Sequence, residues 1–197
     1  MSVTPRPAKV EELIRRLDEA VAVRDDATRC QNVKRVLSEV VSSGQDFVDD
    51  PFLKPAPHRY ARRLLHRDPA GRYTALVMVW DKGQGTPLHD HAGHWCVECV
   101  YRGRIRVTSY SVRGGDPDKG VVQFEKESVI LAGVGEAGAL IPPFEYHVLE
   151  NADQVPAVTI HVYGEEMTYC HVFEPVAEGG YRRVFRELQY TDLTPQL

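Results

Sequence analysis

Gly83-Gln84-Gly85-Thr86-Pro87-Leu88-His89-Asp90-His91-Ala92-Gly93-His94-Trp95-Cys96, running on to Gly103, is the stretch that decides how the rest of the chain reads. His89 and His91 are two apart, and on a β-strand residues i and i+2 point to the same face. Two imidazoles on an inward face can share a metal ion. On an outward face they are two solvated histidines, and a lone His-x-His pair fits that arrangement too. Pro87 and the Gly83/Gly85 pair mark a turn just before them. The third ligand such a site needs has a candidate far along the chain in His147.

Outward from this stretch the chain is punctuated by short β-runs. The patterns predict strands near 58–66, 73–81, 95–102, 104–112, 120–131, 138–142, 145–151, 156–163, 169–174 and 181–187. Turn chemistry separates them, as in Asp68-Pro69-Ala70-Gly71 and Gly114-Gly115-Asp116-Pro117. Many short strands at this pitch mean a sandwich or small barrel. Before them, residues 9–24 carry Val10, Leu13, Ile14, Leu17, Ala20 and Val21 at helical spacing. Residues 28–43 repeat the stripe, with Gly44 as the stop signal. Two short helices are therefore expected to pack outside the sheet, joined to it by the turn-rich segment 44–57. The expected organisation is one domain over 1–197, with the helices in 1–44 and the β-structure in 58–187.

Composition excludes several classes. The 197 residues are 43% apolar and 26% charged, as in an ordinary globule. A net charge of −4 with no long basic run argues against nucleic acid or anionic membrane as a partner. No apolar run approaches the roughly 18 residues of a spanning helix, and the first residues hold no apolar signal core. The four cysteines (Cys30, Cys96, Cys99 and Cys170) lack zinc-type pairing and read as reduced thiols. A cytoplasmic monomer is expected.

Other residues fall into chemical pairs. Tyr60 and Arg62 share a strand face; that face is either solvated or, if inward, demands a partner for a buried guanidinium. A carboxylate held bidentately is the natural one. His161 and Tyr163 repeat the i, i+2 spacing, and Thr159 shares their face, which makes either a hydrogen-bonded line or a polar outer surface. A metal site of His89, His91 and His147 has no carboxylate ligand. Three neutral imidazoles leave a divalent ion its full charge and favour an anionic ligand from the substrate. Both iron and zinc fit such ligands.

The spacing Gly83, five residues, His89-Asp90-His91, four residues, Cys96, six residues, Gly103 resembles the first motif of the cupin superfamily, with Cys96 where most cupins place a Glu ligand. His147, three residues, Asn151 matches the end of the second motif, although Phe144 stands where that motif has Gly. From about Tyr60 to Glu174 the chain resembles the thiol dioxygenases, and among them the cysteine dioxygenases. The carriers are Tyr60-Ala61-Arg62, Gly85 to His91, Cys96, His147 to Asn151, His161-Val162-Tyr163 and Tyr169 to Phe173.

The resemblance implies a small jelly-roll-like cupin barrel that binds Fe(II) and oxidises L-cysteine with O₂ to cysteine sulfinic acid. It implies that His89, His91 and His147 are the iron ligands and that Arg62 and Tyr60 hold the substrate carboxylate. Tyr163, oriented by His161, is implied as the catalytic phenol, and Cys96 as the partner for a thioether cross-link to Tyr163. Two departures stand out: Gly164-Glu165-Glu166 replaces the family's usual Ser-Pro-Pro after the Tyr, and Thr159 stands where Ser is common. Competing readings are dioxygenation of another thiol carboxylate such as 3-mercaptopropionate, a non-catalytic metal-binding cupin sensor, and a zinc-dependent isomerase or hydrolase using Glu98 as base.

Overall fold

β2 (Tyr73–Trp80) and β8 (Ala157–Gly164) are buried along their whole length, every residue of both. A strand buried on both faces has to separate two layers, and the period of two shows which. Ala75, Val77 and Val79, with Val158, Ile160 and Val162, belong to the core shared with two helices. Leu76, Met78 and Trp80, with Thr159, His161 and Tyr163, point the other way. The computed structural model that carries this arrangement describes residues 7–143 and 145–193.

The helices are α1 (Ala8–Ala20) and α2 (Asp26–Ser42). Val10, Leu13, Leu17 and Ala20 are buried from α1, and Cys30, Val33, Val36, Leu37 and Val41 from α2. Each valine or leucine among them contributes about 1.5–3 kcal/mol on full burial. Asp25 caps α2 by accepting from the Thr28 N–H at 2.7 Å. Gly44, at φ 69°, ends it with its N–H on the Val41 carbonyl. The segment expected as a connector holds one 3₁₀ turn, Asp50–Leu53.

The remaining strands are β1 (Ala61–Arg67), β3 (Cys96–Arg102), β4 (Ile105–Gly114), β5 (Val121–Ala132), β6 (Ala137–Leu140), β7 (Tyr146–Asn151), β9 (Tyr169–Pro175) and β10 (Tyr181–Glu187). They form two five-stranded sheets, β1-β2-β8-β3-β6 and β7-β4-β5-β10-β9, with antiparallel pairing throughout. All ten expected strands are present, within three residues at each end. The jelly-roll architecture is as expected, although the two sheets are not hydrogen-bonded into one closed barrel.

What places the histidines is the segment before β3. Residues 85–90 lie between the two edges of the second sheet. Thr86 N–H bonds the Leu149 carbonyl at 2.8 Å, and His89 and His147 exchange both backbone bonds on the β7 side. On the β9 side, Phe173 N–H bonds the Leu88 carbonyl and Asp90 N–H the His171 carbonyl. Gly85 permits this approach, because a Cβ there would lie 2.6 Å from the Leu149 oxygen.

Candidate metal centre

His89, His91 and His147 converge, with ring centroids 4.6–5.1 Å apart and one ligand nitrogen from each within 4.8 Å of the others. All three are buried. His89 Nδ1 is 3.1 Å from the Pro87 carbonyl, which places its proton there and leaves Nε2 for a metal. His91 Nδ1 faces Glu145 Oε2 at 3.6 Å, and His147 Nδ1 faces Glu98 Oε1 at 3.9 Å, so Nε2 is the inward atom of these two as well.

Burial holds His89 far below the usual imidazole range, at about 3, and holds His147 well below it too; the neighbouring imidazoles add to both. Both are the neutral donors that a metal requires. Neither His147 nitrogen has a hydrogen-bond partner. A buried imidazole left with two orphan nitrogens is costly, and a divalent ion on Nε2 removes one of them. These residues fit a metal with three nitrogen ligands and open positions.

The expected Thr159–His161–Tyr163 line exists, and one residue extends it. Trp80 Nε1 donates to Thr159 Oγ1 at 2.9 Å; Thr159 Oγ1 lies 2.8 Å from His161 Nε2; His161 Nδ1 lies 3.2 Å from the Tyr163 hydroxyl. The indole can only donate. The arrangement that gives every donor an acceptor therefore runs one way. Thr159 donates to Nε2, and the single proton of His161, kept neutral mainly by burial, sits on Nδ1 and goes to Tyr163. The phenol proton is then free to point into the chamber, where Met78 Sδ is its acceptor at 3.8 Å.

Arg62 is inside as well, 4% exposed, although it lies on an edge strand. Its Nη2 donates to the Met167 carbonyl at 2.7 Å, its Cζ lies 4.8 Å from the Tyr190 ring centre, and its Nε has no partner. Among the described residues no carboxylate pairs with it. Tyr60 stacks on Trp80, ring centres 4.6 Å apart. Arg63 points to the opposite face and donates to the Phe52 and Lys54 carbonyls. Cys96 is fully buried and packs with Tyr163, Leu76 and Met167. Burial pushes its thiol well up, partly offset by a hydrogen bond with Tyr163.

Every residue assigned to the site from the sequence thus meets at one place. The chamber has a volume of about 20 Å³, room for about one water. It adjoins a cleft of about 410 Å³ whose wall includes Arg59, Arg186 and Gln84. Tyr60, Arg62, Thr86, His89, Cys170 and Leu188 line both spaces. Trp80, Met167 and Cys170 also line the chamber and Glu145 stands behind His91, and no motif in the sequence points to them as site residues. Trp80 was hidden because β2 is apolar on both faces and shows no alternation. With Gly164-Glu165-Glu166 directly after it, Tyr163 lines the chamber. Gly164 N–H bonds the Trp95 carbonyl at 2.9 Å, Glu165 turns at φ 66°, and Glu166 is held by Arg67 and by Tyr190 at 2.8 Å.

A family model described as cysteine dioxygenase type I matches residues 1–175. Cysteine dioxygenase type 1 of Rattus norvegicus is 25% identical over 86% of this chain and 80% of its own length; that of Homo sapiens is 24% identical over the same shares. The crystal structure of an oxalate oxidase in complex with the substrate analogue glycolate matches with a TM-score of 0.43 and 18% identity, over 62% of this chain and 62% of that one. The chain is an oxidoreductase and belongs to the cysteine dioxygenase type I family.

Proposed function

We propose that the chain catalyses the Fe(II)-dependent dioxygenation of L-cysteine to cysteine sulfinic acid. Family membership brings a small thiol and O₂ as reactants. The observation that supports this particular substrate is Arg62: a buried guanidinium beside the three histidines, with an orphan Nε and no carboxylate partner among the described residues. An uncompensated buried charge is strongly unfavourable, and a substrate carboxylate removes the deficit by charge-assisted bonds. The thiol of the same small molecule then reaches the histidine cluster.

His89, His91 and His147 hold the metal in this reading. Fe(II), when bound, supplies the redox-active centre that zinc, with no redox chemistry, does not. Both oxygen atoms of O₂ go to sulfur, which gives up four electrons, so RSH and O₂ balance RSO₂H with no further reductant. Arg62 and Tyr60 fix the carboxylate end and so orient the sulfur. Tyr163 presents its phenol proton to the chamber, while its oxygen accepts a hydrogen bond from His161 Nδ1–H. The tight apolar lining from Met78, Leu149 and Met167 excludes bulk water.

Oxygen consumption by iron-loaded protein tests the reading, with L-cysteine, 3-mercaptopropionate and cysteamine side by side. L-cysteine is expected to be consumed one-to-one with O₂ and with the highest kcat/KM. A higher kcat/KM for 3-mercaptopropionate moves the assignment to that acid. No uptake with any thiol leaves a metal-binding protein without this activity.

A further inference from the structure

Each of the three clustered histidines has one acceptor behind its ring: a carbonyl in one case, a carboxyl group in the other two. His89 has the Pro87 carbonyl at 3.1 Å, already a hydrogen bond. His91 Nδ1 has Glu145 Oε2 at 3.6 Å, and His147 Nδ1 has Glu98 Oε1 at 3.9 Å. Both Nδ1 atoms are buried and have no hydrogen-bond partner at these distances. The two carboxyl groups are themselves buried, at 6% and 7% exposure. Neither carboxylate pairs with a Lys or Arg among the described residues. Two buried acids, each aimed at one histidine, are expensive unless something draws the pairs together.

We propose that Glu98 and Glu145 are positioning residues for the metal centre: each accepts the Nδ1–H of its histidine and so turns Nε2 toward the ion. This rests on the metal-binding reading above. A metal-ligating histidine nearly always donates its other ring N–H to a carboxylate or carbonyl. Closing each gap to bonding distance needs a shift of about 1 Å or less. Glu145 is already tethered, since its Oε2 accepts the His91 backbone N–H at 3.2 Å. Glu98 comes from β3 and reaches across the interior to β7, and its other oxygen lies 3.8 Å from His161 Nδ1. It therefore stands between the ligand His147 and the histidine that orients Tyr163. The three-histidine site carries no acid among its ligands; its acids stand one layer further out.

Anaerobic Co(II) titration of the full chain against a competing chelator reads this without turnover. Glu98→Leu and Glu145→Leu are each expected to lower Co(II) affinity about 10- to 100-fold. Glu98→Gln, whose amide oxygen can accept the same bond, is expected to recover at least half of that loss on a logarithmic scale. The melting temperature of metal-free Glu98→Leu is expected to match or exceed that of the parent, because a buried acid has been removed; a merely structural role predicts a drop. Wild-type affinity in both leucine variants overturns the inference while leaving the metal site standing. Failure of the unaltered protein to bind Co(II) overturns both, so the two failures are distinguishable. Should a leucine variant not fold, Glu98→Met and Glu145→Met keep the side-chain length without a strong acceptor. A Co(II) absorption band and affinity unchanged in both then count against the proposal.

Discussion

Cys96 and Tyr163 are directly opposed partners in the β3/β8 ladder, and both are buried in the same cluster. Opposed residues in antiparallel strands hold their Cβ atoms about 4.5–5.5 Å apart, so the thiol and the phenol ring are held together beside the histidines. Coupling them into a thioether removes one hydrogen from each, with O₂ taking the two electrons. The linked Cys96 and Tyr163 peptides are expected in mass spectra at two hydrogens below their summed mass, in a fraction that rises with turnover. Complete alkylation of Cys96 after prolonged turnover would rule the bond out.

Arg62→Ala is expected to raise KM for L-cysteine with a smaller effect on kcat. Charge-assisted hydrogen bonds of this kind are worth about 1.5–3 kcal/mol, or about 10- to 150-fold. Cysteamine has no carboxylate and is expected to be a poor substrate that hardly responds. Equal response of the two substrates would mean that Arg62 serves the pocket's shape and not the carboxylate.

His147→Ala removes a ligand whose nitrogens make no other hydrogen bond. Tight iron binding is expected to vanish, while the apo protein keeps a β-rich circular dichroism spectrum, since open three-ligand sites are functional and not structural. The same is expected for His89→Ala and His91→Ala. Stoichiometric iron in His147→Ala contradicts the ligand set.

Acid is expected to destabilise the metal-free protein in two windows. His161 is held at about 3 chiefly by burial, against 6.5 when free. The unfolded chain takes up that proton first, so the stability is whole above about pH 6.5 and is lost as pH falls toward 3. Asp68 is held at about 2, first by its hydrogen bond with Arg72, against 3.8. Its contribution is whole above about pH 4 and is lost toward pH 2. In urea melts across pH, His161→Gln should make the upper limb shallower, with His89 and His147 supplying the rest of its slope, and Asp68→Asn should do the same to the lower. An unchanged upper slope in His161→Gln excludes the first assignment.

Much of this protein is legible without coordinates. The His-x-His spacing, the ten β-runs and the two helical stripes are local patterns, and local geometry enforces them: period two for strands, 3.6 for helices. The alternation in Thr159, His161 and Tyr163 put three polar groups on one face, and the face proved inward because Val158, Ile160 and Val162 go to the helices. The family motifs named eight candidate residues; seven of them line one chamber, and Cys96 packs against the seventh, Tyr163.

What the sequence left open were questions of which side faces in and what stands behind. Arg62 read equally well as solvated or buried, because alternation shows that two residues share a face and never which face is covered. Trp80 and Glu98 lie in strands whose residues are all or nearly all buried, where polar and apolar positions no longer alternate. The partners Glu98–His147, Trp80–Thr159 and Arg62–Met167 are separated by 49, 79 and 105 residues. Contacts at such separations are made by strand pairing and by the packing of one sheet against the other. Only the tertiary structure brings a carboxyl group to the back of a histidine, and no local pattern in the chain encodes that distance.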